Sequence, residues 1–448
     1  MQPEFMRILI YSYNYAPEPI GIAPLMTELA EGLVARGHEV RVVTGMPNYP
    51  EREIYEGYRG KWYCTEFIKG VVIQRSYVWI RPKPNLIDRL LLEASFVITS
   101  FIHALKGDRP DVILMTAPPL PVSLPAAFLA WIHCCPIVLN LQDILPDAAI
   151  HVGFLDKKSK LAKIFKLLEK FGYRSATKIS VIADGFVENL RKKGVPEEKI
   201  VQIPNWVNTE IIKPLPKEPN KFRDDHELNG KFVVMYSGNI ALTQGIETVI
   251  HAAVRLRHLT DIAIVIVGEK AALEDLHREE ELALKHFNFK EVTVKALEHL
   301  HLEEEKAMKQ LQMYRDTCKA TNIQLLPFEP RERLPEMLAA ADLGLVLQRE
   351  NVINFNMPSK IPVLMASGRA ILASVPSNGT AASAIRESGG GIVIPPEDPG
   401  ALTAAIVELY IDSDKVQKLG EKGRKYAEEN YTFEKSLDRY EKLFASLQ

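Results

Sequence analysis

The chain alternates short contiguous apolar runs with longer stretches in which apolar residues recur three or four apart. The first kind reads as strands buried on both faces, the second as helices with one apolar stripe. Arg7–Tyr11 is such a run; 23–36 carries Leu25, Met26, Leu29 and Leu33 at helical spacing before Gly37; 39–44 is the next run. This βαβ unit predicts a parallel sheet covered on both faces. The same grammar predicts strands from Val112, at 137–141, 178–182 and 200–203, with helices at 161–176 and 186–193. At 207–230 the composition shifts to Pro, Lys, Asp and Asn, as in a linker. The βαβ pattern then restarts, with strands at 231–236, 262–267, 323–326, 343–348, 370–375 and 391–395. Helices are expected at 246–258, 334–341, 399–412 and, as one long polar element, 414–445. The fold class is α/β, with domains at 6–207 and 231–412, a linker at 208–230, and a terminal helix at 413–448.

Two segments depart from the rhythm. Residues 270–321 are strongly charged, with helical stretches around 272–287 and 298–318, and read as a helical hairpin inserted into the second domain. Residues 86–105 form a helix with Leu86, Leu90, Leu91, Phe96, Val97 and Phe101 on its apolar face, beside Lys83, Arg89 and Lys106. It is either a core helix with a solvated edge or a segment resting on a membrane surface. The uncharged run 112–141 is broken by five prolines and reads as strand, loop, buried helix and strand, not as a span.

Composition narrows the chemistry. A formal charge of −2 over 448 residues gives no reason to expect nucleic acid. The four cysteines have neither metal nor disulfide spacing, which suits a reducing cytoplasm, and Cys134 and Cys135 are expected to be buried. Residues 1–5 look like a tag or extended start, with no secretory leader expected. No G-x-G-x-x-G follows the first strand, which argues against a dinucleotide oxidoreductase. His277, His286, His299 and His301 lack ligand spacing, and Asp412-Ser413-Asp414 reads as a turn and cap; no metal site is expected.

The candidate chemistry gathers at strand ends. In 355–368, Ser359 is placed to cap a helix through its hydroxyl, Pro362 falls in the first turn, and Gly368 sits at the C′ position. Lys360 at that N-terminus opposes the helix dipole unless an anion binds there. The loop Gly238, Asn239 to Gln244, Gly245 joins a strand to a helix and could cradle an anion. Asp143 and Asp147 follow the 137–141 strand, where open α/β sheets build their sites; Asp147 also reads as a helix cap. Gly21 lies in the loop after the first strand, where it is either a close-approach glycine or an ordinary turn.

Taken together, Arg7-Ile-Leu-Ile-Tyr, Asn14-Tyr-Ala-Pro-Glu with Gly21, Gly37-His-Glu-Val, Gln142-Asp143, Pro204-Asn-Trp, Tyr236-Ser-Gly-Asn-Ile with Gln244-Gly, and Pro358-Ser-Lys resemble the family 4 glycosyltransferases of the GT-B fold. The likeness is strongest to the bacterial exopolysaccharide branch that includes colanic acid fucosyltransferase-type enzymes, and it spares only 270–321. It implies two Rossmann-like parallel-sheet domains facing a cleft, the donor on the second and the acceptor on the first, with the last helix returning to the first. It implies transfer of a sugar from a nucleotide-diphosphate sugar to a lipid-linked or glycan acceptor, with retention of configuration and without metal or cofactor. The Arg and Lys that usually meet the donor diphosphate fall here on Asn239 and Gln244. The two carboxylates of the family's E-x7-E pair fall on Phe355 and Val363.

Breaking a glycosyl–phosphate bond builds negative charge on the diphosphate, which cations and N–H groups must meet. The expected donor-binding set is therefore Gly238, Asn239, Gln244, Gly245, Asn356, Ser359 and Lys360. Asp143 and Lys360 are the expected catalytic residues and Gly21 marks the acceptor-side loop. The expected location is cytoplasmic, with peripheral contact at the inner face of the plasma membrane through 86–105. The missing carboxylates leave open a non-catalytic nucleotide-sugar-binding or assembly subunit, and a GT-B sugar-nucleotide epimerase.

Overall fold

The computed structural model describes residues 5–19, 21–49, 51–82, 86–151, 155–238, 240, 243–268, 322–352 and 357–448. The hairpin expected within 270–321 lies outside them. The chain forms two compact units. One runs to Asn205 and takes in Glu434–Gln448; the other runs from Trp206 to Phe433 among the described residues.

The first unit holds an eight-stranded sheet: β1 (Arg7–Tyr11), β2 (Glu39–Gly45), β3 (Tyr63–Ile68), β4 (Val71–Ser76), β5 (Val112–Ala117), β6 (Ile137–Leu141), β7 (Lys178–Val181) and β8 (Ile200–Gln202). Its order is β3-β4-β2-β1-β5-β6-β7-β8, and every pairing is parallel except the edge hairpin β3–β4. β5 and β6 are buried along their whole length, which is why they carry continuous apolar runs. The order turns between β1 and β5, so the loops leaving those strands diverge and open a crevice at their carboxyl ends.

The second unit holds β9 (Phe232–Ser237), β10 (Ile262–Gly268), β11 (Ile323–Pro327), β12 (Leu343–Leu347), β13 (Ala370–Ser374) and β14 (Gly391–Ile394), all parallel, in the order β11-β10-β9-β12-β13-β14. Here the turn falls between β9 and β12. The loop beginning at Gly238 and the loop beginning at Gln348 therefore part on either side of one crevice.

Several expectations are corrected. The stretch 208–230 carries the helix Lys221–Asp225, and Arg223 is fully buried in the second unit. Its guanidinium donates to the carbonyls of Leu228, Lys231 and Ala340 and pairs with Asp342 at 2.9 Å, so a charge in a polar stretch serves as an internal tie. The polar element expected at 414–445 is two helices, Ser413–Asn430 and Phe433–Ala445. The first begins at Asp412, whose carboxylate accepts from the Lys415 amide, the cap the sequence suggested. Cys134 is exposed because it ends its helix in the left-handed conformation, φ 49°.

Candidate donor site and the strand ends around it

The candidate donor-side site is built on the break between β9 and β12. Gly238 follows β9 at φ +143°, a conformation that side chains resist, and its amide donates to Val267 at the end of β10. The loop is pinned one residue pair further on, where Ile240 packs into the space left by the missing side chain of Gly268. Lys360 opens the short helix Lys360–Ala366 on the other side of the break and reaches back over the sheet end. A Cβ on Gly238 would lie 2.8 Å from the Lys360 Nζ, so the glycine makes room for the amine. The Nζ stands 3.6 Å from the centre of the Tyr236 ring.

That amine is buried and has no hydrogen-bond partner among the described residues. A buried charge costs several kcal/mol without a paired ion. A desolvated aromatic face returns about 2 kcal/mol. Desolvation wins, and it pushes the Lys360 pKa down to about 7. The protein groups alone thus hold an ammonium only weakly, next to backbone that a side chain would otherwise cover. A dianion placed there would supply the missing counter-charge.

Ser359 does not cap as expected. It is already in helical conformation, φ −60° and ψ −20°, and its hydroxyl makes no cap bond. The helix has only seven residues, so its dipole adds little and Lys360 is the stronger element. Gly368 does occupy C′, at φ +68°. Gly245 closes the glycine-edged loop at φ +64°, with the side chains of Arg349, Glu397 and Thr248 as its nearest neighbours. Among the described residues Gln244 makes a local contact to Thr243, at 3.4 Å. Asn239 and Asn356 lie outside the described residues. Arg349, which follows β12, is taken up by Glu247 at 2.6 Å and Glu397 at 2.7 Å, so its charge is already balanced. Tyr236 was legible only as an aromatic at a strand end, and its place under Lys360 is a tertiary fact.

In the first unit, Asp143 stands two residues beyond β6 and is exposed. Protein atoms around it still withhold enough water to push its carboxyl pKa up. The preceding Gln142 is held rigidly, exchanging bonds of 2.8 and 3.2 Å with the Asn205 side chain and donating to Asn140 at 2.7 Å. Asp147 starts a short helix and pairs with Lys193 at 2.8 Å, a structural role. Gly21 is at φ +70° with nothing within 4 Å of a built Cβ, in an open turn before the Ala23–Ala35 helix. The loops after β1 and β2 are joined by Glu18, the last residue of the Asn14-Tyr-Ala-Pro-Glu segment, to which the sequence assigned no role. The Glu18 carboxylate accepts from the Asn14 amide group at 2.6 Å and from the backbone amides of Asn48 and Tyr49 at 2.8 and 3.0 Å.

Two units of parallel sheet, each with its loops diverging at a central break, define the GT-B class of glycosyltransferases. Sequence comparison agrees: residues 21–206 match the "Glycosyl transferase 4-like domain" family and residues 218–426 the "Glycosyl transferases group 1" family. The chain belongs to these glycosyltransferases. It is 27% identical to "Putative colanic acid biosynthesis glycosyl transferase WcaI" of Escherichia coli K12, over 97% of this chain and 98% of that one. Among solved structures it is similar to Anabaena HepE in complex with UDP-glucose, with a TM-score of 0.65 at 16% identity over 99% of this chain and 100% of that one. WaaG, a glycosyltransferase involved in lipopolysaccharide biosynthesis, aligns with a TM-score of 0.62 at 15% identity, over 96% of this chain and 98% of that one.

Proposed function

We propose that the protein moves a sugar from a nucleoside-diphosphate sugar to a glycan or lipid-linked acceptor in exopolysaccharide assembly, with retention of configuration and without a metal. The observation that carries this reading is the buried Lys360 amine beside Gly238, without a hydrogen-bond partner among the described residues. As the glycosyl–oxygen bond breaks, its electron pair goes to the diphosphate. Lys360 donates to that oxygen and offsets the growing charge, with the Gly238 loop lying along the phosphates. Asp143 orients the acceptor hydroxyl and takes its proton. Gly21 leaves the acceptor-side loop open. The likeness to a structure solved with UDP-glucose makes UDP-sugars the first donors to test, and the WcaI relative supports an exopolysaccharide product. The free thiols of Cys64, Cys134 and Cys135 suit a cytoplasmic site of action.

The test is a thermal-shift panel of UDP-, GDP- and ADP-sugars, followed by transfer of labelled sugar to membrane-extracted acceptor. A donor at 100 times its Kd should stabilise the protein by roughly 2.7 kcal/mol. If no donor stabilises the wild type, or if Lys360→Ala is stabilised equally, the site assignment fails. Binding without transfer would mark a non-catalytic subunit, and conversion of donor alone an epimerase.

A further inference from the structure

The helix Leu86–Ala104 is covered by the protein on one side and apolar on the other. Its inner side buries Phe96, Thr99, Ser100, His103 and Ala104 against the sheet. Its outer side presents Ile87, Leu90, Leu91, Ala94, Ile98 and Ile102, one stripe at helical spacing, followed by Leu105. No exposed position from 87 to 105 is charged. A core helix with a solvated edge would carry polar residues there, so that alternative from the sequence is set aside. Ile87 is 66% exposed and Ile98 61%.

The stripe continues onto the neighbouring helix Ser123–His133. Phe101 meets Phe128 edge to face at 5.5 Å, and Phe128 leans on Trp131 at 5.5 Å. Leu124, Phe128, Trp131 and Ile132 all face outward, with Trp131 73% exposed. A third helix, Lys160–Ser175, packs against the second and adds the charge. It exposes Ile164, Leu167 and Phe171 along one line, flanked by Lys160, Lys163, Lys166, Lys170 and Arg174. Its one acid, Glu169, is turned inward and paired with Lys193. The outward face of that helix therefore carries an apolar line with cations along one margin, and it is free of acids.

From this geometry we infer that the face made by helices Leu86–Ala104, Ser123–His133 and Lys160–Ser175 docks on an anionic lipid surface. The apolar stripes enter the headgroup boundary while the long lysine stems reach out to anionic headgroups. Charge selects this occupant over a second copy of the chain, since two such faces would bring five cations of one against five of the other. Among the described residues no helix is long and apolar enough to cross a membrane, and the docking mode drawn from this face is one of lying in the interface. The proposal goes beyond sugar transfer and does not depend on it.

The test is co-sedimentation of the full chain with vesicles of phosphatidylcholine alone and with a third phosphatidylglycerol, at low and high salt, with Trp fluorescence recorded. Binding should require the anionic lipid, weaken with salt, and carry a blue shift that Trp131→Phe reduces. Lys163→Glu with Lys166→Glu and Lys170→Glu should weaken partition by about a hundredfold or more, at around 1 kcal/mol for each cation near the surface. These lysines are exposed, so the triple variant should melt like the wild type. As a second variant, Leu167→Ser with Trp131→Ser should lose binding while keeping the charges. Equal binding to neutral vesicles, undiminished binding of the triple variant, or a concentration-dependent dimer that buries Trp131 would overturn the proposal.

Discussion

The Nζ of Lys360 lies 3.6 Å from the ring centre of Tyr236, and buried there it meets no hydrogen-bond acceptor among the described residues. A folded chain keeps such an atom at a cost, and the cost disappears when an anion arrives. Replacing Lys360 by Met removes the charge and keeps most of the volume. Lys360→Met should lose about 100-fold or more in kcat on a nucleotide sugar, the scale of deleting a donor to a developing charge. Its melting temperature should equal or exceed that of the wild type, since no pair is broken. A variant that melts well below the wild type would show that the lysine is structural.

Proton linkage gives a second check. Burial among protein groups lowers the Lys360 pKa to about 7, against 10.5 in the ordinary case. Above pH 7 the amine is mostly neutral, and a bound diphosphate raises its pKa again. Donor binding at pH 8 should therefore take up close to one proton, and uptake should fade as pH drops below 7, where the amine is already charged. For folding the sign is the reverse of a salt-bridged lysine. The penalty of burying the ammonium is fully present below about pH 7, and stability rises as pH climbs from there toward 10.5. Calorimetry with UDP in buffers of different ionisation enthalpy measures the uptake, and Lys360→Met should abolish it.

Gly238 tests the other half of the site. Alanine there faces two difficulties: φ of +143°, which strains any side chain by about 1–3 kcal/mol, and a Cβ 2.8 Å from the Lys360 Nζ. The second is relieved by moving the end of a flexible chain, so stability should fall only by the strain. Donor binding should fall further, because the displaced amine no longer meets the phosphates. Thermal melts with and without UDP separate the two losses.

The strands and their parallel order were readable because buried parallel strands need continuous apolar runs, as in Val112–Ala117 and Ile262–Gly268. The Pro-Ser-Lys stretch was readable as unusual because a cation at a helix start calls for an explanation. What it meets there was not. Tyr236 and Lys360 are far apart in sequence and are brought together by the β9–β12 break, which no local pattern encodes. The Ser359 cap failed for a related reason: tertiary packing begins the helical conformation at Ser359 itself, leaving no extended residue to cap with. The outer stripe of the Leu86–Ala104 helix was ambiguous because periodicity locates an apolar face without saying what covers it.

Asp143 should behave as an acceptor-side base. Its carboxyl is pushed above the ordinary aspartate range by desolvation. Activity should fall on the acid side as that carboxylate is protonated, at a pH above the usual aspartate pKa of about 3.9. Asp143→Asn should keep nucleotide-induced stabilisation and lose turnover. A variant with an unchanged kcat–pH profile would return Asp143 to the surface.

The last helix reaches the Asp143 loop through one buried chain of amides. Tyr440, 1% exposed, accepts from the Asn140 amide group at 2.6 Å through its hydroxyl. Asn140 also donates to Ser180 at 3.2 Å and accepts from Gln142 at 2.7 Å, and Gln142 is locked to Asn205. Outside this core the same helix is held by Glu434, Asp438 and Glu441 around Arg36. Those pairs lie nearer water and contribute less than the buried chain. Tyr440→Phe keeps the ring against Phe444 and removes only the oxygen. It leaves one buried N–H of Asn140 without its acceptor, a cost of about 1–3 kcal/mol. At roughly 2–4 °C per kcal/mol for a unit of this size, the melting temperature should fall by several degrees. Hydrogen exchange should rise at Gln142 and Asp143 and in the Phe433–Ala445 helix, while the UDP-induced shift stays as in the wild type because Lys360 and Gly238 are untouched. If Tyr440→Phe melted like the wild type and exchange at Gln142 stayed unchanged, the helix would be held by its surface pairs, and the amide chain would have no part in positioning Asp143.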